Sequence, residues 1–313
     1  GAEAVENAMK ISHDHTPAAK YGFAFSGSFH GRTLGTLSVT KSKDVYTRHY
    51  PDVGGIETVP FCENRTCDTT CSCGFFTGDG SQLRTMLAPE GGHIDPDEVA
   101  YAILEPIQGV GGYRFPNEEF MAEVGDVCRS YDIPLVVDEI QSGVGRTGEM
   151  WAADHYPIEP DVIASAKGLR VGATISRSEL FPSERNRLGS TFGGGDLLAS
   201  MQGALTLEAI DEYDLLANAT ERGRQAKEGL RDGAPNHVAD VRGKGLLLAV
   251  EFDTADRRDA VVEAALERGL LTLGCGEKTV RLLPPLDVTE REIEMGVDRF
   301  CEAMEQVASP AAA

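Results

Sequence analysis

Apolar residues recur at near-helical spacing from Ala2 to His13 and predict a helix at the start of the chain. The run YGFAFS then predicts a short buried strand that leads into a Gly-rich stretch. VAYAILEPIQG reads as an apolar strand ending at Glu105 and Pro106. NEEFMAEVGDVCRSYD reads as a helix with an acidic start, and IPLVVDEIQSG as an unbroken apolar strand that stops at Asp138. DVIASAKG predicts another short strand ending near Lys167. Strands that alternate with helices imply a parallel sheet in an α/β layer fold. Fully apolar strands such as Ile133 to Val137 fit a sheet covered on both faces. Residues 48–92 are rich in Pro and Gly and read as loop.

Beyond Gly193 the pattern changes. LLASMQGALTLEAIDEYDLLANATERGRQAKEGLRDG predicts one long helical stretch. VRGKGLLLAVEF signals a pair of strands, RRDAVVEAALERGLL a helix, TVRLLPPLDV a strand, and EREIEMGVDRFCEAMEQV a closing helix. The division expected is a large domain over residues 1–217 and a smaller α+β domain over 218–313.

No run of apolar residues is long enough to span a membrane, and the opening GAEAVENAMK carries no signal-peptide pattern. The formal charge is −21, from 50 acidic and 29 basic residues spread along the chain. Phosphates would be repelled by such a surface, so a nucleic-acid partner is not expected. Lysine is scarce: Lys10, Lys20, Lys41, Lys43, Lys167, Lys227, Lys244 and Lys278 are all there are. An acidic, lysine-poor surface resembles that of proteins from a high-salt cytoplasm, where salt screens self-repulsion. Seven cysteines are present, an odd number that suggests reduced thiols in a cytosol. Cys62, Cys67, Cys71 and Cys73 cluster with the spacing C-x4-C-x3-C-x-C. Four thiolates could hold a structural zinc, although this spacing matches no common finger; thiols that are free or paired locally are the alternative.

The stretch FSGSFHGRTLGTLSVT, Phe25 to Thr40, is poor material for a core strand or a helix. Its glycines, with Phe29 and His30 between them, suit a loop that approaches a ligand. Ligands of open α/β sheets bind beyond the carboxyl ends of the strands. Phe29 and His30, Glu105 to Gln108, Asp138 with Gln141, and Lys167 all fall there. A lysine at a desolvated site can form a Schiff base, and a carboxylate beside a pyridine nitrogen keeps that ring an electron sink. Taken singly, Asp138 reads better as a helix cap and Lys167 better as a surface lysine.

GAEAVENAMK, SFHGRTLGTLSVT, EPIQGVGG, VVDEIQSGVGRTG, DVIASAKG, GSTFGGGD and VRLLPPL occur in one order. Together they resemble the class III aminotransferases, pyridoxal-phosphate enzymes of the type I transferase fold. The likeness runs from the first residue to about Phe300. It implies that Phe29 stacks on the cofactor ring, with His30 as its loop neighbour, acting in catalysis or orienting the loop. It implies that Asp138 pairs with the pyridine nitrogen, that Gln141 lies beside the ring hydroxyl, and that Lys167 is the Schiff-base lysine. Gly1 and Ala2 would hold the phosphate at a helix N-terminus. Thr191 would reach the cofactor phosphate of a neighbouring subunit in a homodimer. Arg281 would grip a substrate carboxylate, with Glu105 also at the substrate site.

The resemblance also shows departures. The chain begins inside the phosphate-loop motif and looks N-terminally truncated, short of a portion that covers the active site and builds much of the dimer. Val110 stands where ω-amino members carry a glutamate that pairs with the carboxylate-gripping arginine. The loop AKGLRVGATISR is short, as in the lysine 6-aminotransferase branch. The implied reaction moves an amino group from a donor of the 4-aminobutyrate, acetylornithine, ornithine or lysine type to a 2-oxo acid such as 2-oxoglutarate, in the cytoplasm. A racemase or aminomutase on the same scaffold is the alternative enzyme, and an inactive fragment the non-enzyme alternative.

Overall fold

Each apolar run of the first two hundred residues pairs with another. The computed structural model describes residues 1–63, 72–78, 80–189 and 196–308. In chain order the first part comprises α1 (Ala2–His15), β1 (Tyr21–Phe25), α2 (Leu34–Val39), α3 (Asp44–Thr47) and β2 (Ile56–Val59). A small hairpin, β3 (Phe76–Thr77) and β4 (Gly80–Ser81), precedes α4 (Gln82–Met86). Then come β5 (Val99–Leu104), α5 (Glu118–Ser130), β6 (Leu135–Asp138), β7 (Val162–Ser165) and β8 (Ala173–Ser176). The six-stranded sheet runs β2-β1-β5-β6-β7-β8, parallel except for β8.

Successive residues of a strand face opposite sides, and both sides of this sheet are covered. Phe23 and Phe25 of β1, with Leu135 and Val137 of β6, pack on Phe120, Val124 and Val127 of α5. Ala24, Ile103 and Val136 point the other way, onto Val5, Ala8 and Ile11 of α1. The alternation explains why β5 and β6 are buried at every position and carry no polar residue before their ends. α5 begins where Asn117 accepts a hydrogen bond from the Phe120 N–H at 2.7 Å, with Glu118 and Glu119 in its first turn.

The remaining elements are α6 (Leu197–Glu212), α7 (Leu215–Asp232), β9 (Val238–Lys244), β10 (Leu247–Phe252), α8 (Ala255–Glu267), β11 (Leu273–Cys275), β12 (Thr279–Leu282) and α9 (Glu290–Ala308). The strands form an antiparallel sheet in the order β11-β12-β10-β9. Leu230, Val250, Phe252, Val261 and Phe300 make its core with α7, α8 and α9. The chain divides into two compact units. The first is Gly1–Gln108, Arg114–Val144 and Trp151–Leu207; the second is Gly109–Tyr113, Gly145–Met150 and Glu208–Ala313.

Three sequence expectations are corrected. The long helical stretch after Gly193 is two helices, broken at Asp214, whose φ of 49° is left-handed. Residues 34–39, within the stretch judged poor for a helix, form α2. Its N-terminal end is held by Glu6, which accepts from the Thr36 N–H at 3.2 Å and from the Thr33 hydroxyl. The four-thiolate zinc site does not hold at Cys73, where the alternative of locally paired thiols does. That residue is disulfide-bonded, and a disulfide sulfur is not the thiolate that zinc requires. Cys62 is buried in the aromatic core, its sulfur accepting from Asn117 Nδ2 at 3.7 Å. Cys67 and Cys71 lie outside the described residues. Among the described residues no helix is long and apolar enough to cross a membrane.

Candidate active site

Four neighbouring parallel strands, β1, β5, β6 and β7, deliver the polar residues to one edge of the sheet. Phe29 and His30 follow β1, Glu105 follows β5, Asp138 ends β6 and Lys167 lies two residues beyond β7. The register pairs Asp138 with Ala164 and Val137 with Leu104, which sets these residues at one level. Parallel strands are what gather them, since each contributes its carboxyl end to the same side.

Asp138 is buried, and both of its oxygens are engaged. Oδ2 lies 2.8 Å from His30 Nδ1, and Oδ1 accepts from the Ile140 N–H at 3.0 Å. A carboxylate only accepts, so Nδ1 carries the proton of this pair. Each oxygen keeps a further lone pair. His30 Nε2 is buried and has no hydrogen-bond partner among the described residues. His30 N–H donates to Thr40 Oγ1 at 3.0 Å, which ties the loop across its own return.

The loop itself is clamped from β5's end. Glu105 Oε1 accepts from the Phe29 N–H at 2.8 Å, so this carboxylate holds the loop that bears the aromatic ring. Gln108 Nε2 donates to Ser26 O at 2.8 Å. Gly27, at φ 83°, sits so close to Gln108 that a Cβ there would lie 2.6 Å from Oε1. The Phe29 ring meets Tyr46 edge-on at 5.2 Å, and the Arg32 guanidinium lies over both rings.

At the other end of this edge, Gly1 caps α1 through its carbonyl, which accepts from the N–H groups of Ala4 and Val5. The N–H groups of the first turn, at Ala2 and Glu3, then have no intrahelical acceptor. Gly31 packs against this turn: a Cβ on it would lie 2.8 Å from Ala2 Cβ. Lys167 is exposed, and its N–H donates to Ile140 O at 3.3 Å. Gln141 Oε1 is buried and without a hydrogen-bond partner among the described residues. So is the hydroxyl of Ser165, at the end of β7, a residue that sequence reasoning did not single out.

Glu139, beside Asp138, was also not singled out. It accepts from the Ser142 hydroxyl at 2.6 Å and from the Ala153 N–H at 2.8 Å. Burial pushes its pKa up to about 7, against those hydrogen bonds. Its carboxyl thus holds both ends of the loop after Gln141. Arg281 lies on β12 of the second unit, with Nε and Nη1 buried and unpartnered among the described residues. Val110 also belongs to the second unit, where its carbonyl accepts from the Gly276 N–H at 2.8 Å. Thr191 lies outside the described residues.

These donors and acceptors fit a phosphorylated pyridine aldehyde. The α1 N-terminus suits the phosphate, the buried Asp138 a protonated ring nitrogen, the orphaned Gln141 oxygen a ring hydroxyl, and the Lys167 amine the aldehyde carbon.

Comparison with known proteins identifies the family. The acetylornithine aminotransferase of Prochlorococcus marinus is 35% identical over 96% of this chain and 70% of its own length. The lysine aminotransferase of M. tuberculosis has 29% identity, with a TM-score of 0.85, over 98% of this chain and 74% of its own. The ornithine aminotransferase of Toxoplasma gondii has 28% identity and a TM-score of 0.84, over 98% and 72%. The profile of the aminotransferase class-III family matches residues 1–304, and the chain belongs to that family.

Proposed function

We propose that this class III aminotransferase takes its amino group from a donor of the acetylornithine, ornithine, lysine or 4-aminobutyrate type and passes it to 2-oxoglutarate. Amino-group transfer and the cofactor pyridoxal phosphate follow from the family. The observation that carries the reading is the buried Asp138 at the end of β6, one strand from Lys167 beyond β7. The acetylornithine, ornithine and lysine enzymes among its relatives support the donor class.

Bound pyridoxal phosphate supplies a ring that takes up the electron pair left on the substrate carbon. Asp138 holds a proton at the ring nitrogen and so keeps that ring electron-poor. His30 holds Asp138 through Nδ1 and fixes which way the carboxylate faces. Lys167 Nζ would accept a proton from the substrate carbon and return it to the carbon on the other side of the transferred nitrogen. Phe29, clamped by Glu105, covers the ring and excludes water. Arg281 receives a substrate carboxylate through its planar fork.

A homodimer is part of the proposal. Leu197, Leu198, Met201 and Leu205 form an exposed apolar stripe on α6, which suits a second copy of the chain. Cytoplasmic location and a salty environment rest on composition, with 50 acidic residues and only eight lysines. The test is a panel of donors with 2-oxoglutarate, followed by detection of glutamate. Glutamate formed from at least one ω-amino donor supports the reading. Racemised or rearranged donor without glutamate identifies the racemase or aminomutase alternative and overturns it.

A further inference from the structure

We propose that Tyr113 is a specificity-determining residue whose hydroxyl donates to the substrate carboxylate held by Arg281. The proposal rests on the reading of Arg281 as the carboxylate receptor, and all its residues lie in the second unit.

Residues 109–113 are pinned to the antiparallel sheet at several points. The Gly276 N–H donates to Val110 O at 2.8 Å. Arg242 Nη2 donates to Gly112 O at 2.7 Å, and its Nε to Tyr113 O at 2.9 Å. Arg242 is itself fixed by Glu251 at 2.7 Å. Gly276 lies so near this segment that a Cβ there would be 2.9 Å from Gly112 Cα. Tyr113 adopts a left-handed φ of 51°, an unfavourable conformation for an aromatic residue. The anchored backbone holds it there and directs the ring into the interior, where it is fully buried.

The phenol lies beside the guanidinium groups of Arg281 and Arg146 and the Cys275 thiol. Burial raises its pKa well above the ordinary value, while Arg281 and Arg146 pull it down and Cys275 pushes it up. The Tyr113 hydroxyl, Arg281 Nε and Arg281 Nη1 are all buried; the guanidinium lies against the phenol oxygen, and among the described residues no further acceptor meets the phenol proton or these N–H groups. Buried polar groups are rarely left this way, because each loses its water without replacement. The phenol oxygen can accept from Arg281, but the phenol proton and the remaining guanidinium N–H groups still lack an acceptor. A carboxylate offers two oxygens and about four lone-pair sites, enough for a guanidinium fork and one hydroxyl. Val110 supplies no acid that would compete for Arg281. The receptor thus selects a substrate end that carries a carboxylate, and Tyr113 adds a donor to the arginine.

The test compares Tyr113→Phe and Arg281→Gln in the holoenzyme. Calorimetric binding of glutarate, a dicarboxylate that cannot react, is measured beside KM and kcat for 2-oxoglutarate. Tyr113→Phe should raise the glutarate Kd and the 2-oxoglutarate KM by about tenfold, the loss of one hydrogen bond to a charged group. The change in kcat should stay within about twofold. KM for an aldehyde acceptor without a carboxylate should not move. Arg281→Gln should weaken glutarate by on the order of a hundredfold. If Tyr113→Phe leaves Kd and KM unchanged while Arg281→Gln weakens both, the role of Tyr113 is overturned and the arginine reading stands. If neither variant weakens glutarate, the arginine reading falls and this proposal falls with it.

Discussion

His30 Nδ1 lies 2.8 Å from Asp138 Oδ2, and both side chains are buried. The loop after β1 thereby holds the carboxylate at the end of β6. Loss of the imidazole removes a hydrogen bond to a charged group and leaves a void beside it. Such a bond contributes about 1.5–3 kcal/mol. His30→Ala should therefore lower kcat by roughly ten- to a hundredfold while pyridoxal phosphate stays bound. Equilibrium dialysis of the cofactor alongside steady-state kinetics checks this. Full activity in that variant would show that Asp138 needs no such support.

Asp138 should matter more than its partner. Asp138→Asn preserves shape but removes the negative charge that stabilises a protonated ring nitrogen. The barrier should rise by several kcal/mol, about a thousandfold or more in rate, by analogy with other preorganised charges. Single-turnover rates with saturating donor measure the chemical step. A rate within about tenfold of wild type would contradict the role.

Glu139 makes stability depend on pH. Its folded pKa is raised to about 7 by burial, above the ordinary carboxyl value of 4.5. The folded protein thus holds the proton more tightly than the unfolded chain does. The contribution is fully present below pH 4.5 and is lost as pH rises through about 7. Its size is on the order of 3 kcal/mol. Glu139→Gln, which is always neutral, should flatten the decline in Tm between pH 5 and pH 8. Parallel melting curves of the two proteins across that range check it, and identical slopes would count against the buried, protonated carboxyl.

Val110 bears on donor choice. No acid stands at this position to pair with Arg281, so the guanidinium stays open to carboxylates. A donor that presents an uncharged end there leaves a buried charge unpaired, which costs several kcal/mol. Val110→Glu should raise kcat/KM for 4-aminobutyrate or ornithine relative to alanine or glutamate. An unchanged ratio would mean that another residue gates the site.

Much of this architecture was legible because the buried runs of β5 and β6 lead straight into carboxylates, Glu105 just beyond β5 and Asp138 at the end of β6. β2 and β8 were not legible. IETV lies within a Pro- and Gly-rich stretch, and ATIS is short and only partly buried. The transfer of residues 109–113 and 145–150 to the second unit was hidden as well. It depends on backbone bonds, Gly276 N–H to Val110 O and Leu246 N–H to Arg146 O, which hydropathy does not encode. Tyr113 escaped notice for the same reason, since its partners come from β12 and from residues 145–150. Glu139 was overshadowed by Asp138, and only the return of the chain to Ala153 shows what its side chain holds.

The central claim is that Lys167 carries the cofactor. Borohydride reduction of the holoenzyme, followed by peptide mass mapping, tests it most directly. Eight lysines are available, so the outcome is discriminating. The account predicts one pyridoxyl group per chain, on the peptide that contains Lys167, and no such group in Lys167→Ala. A pyridoxyl group on any other lysine, or undiminished turnover in Lys167→Ala, would contradict it.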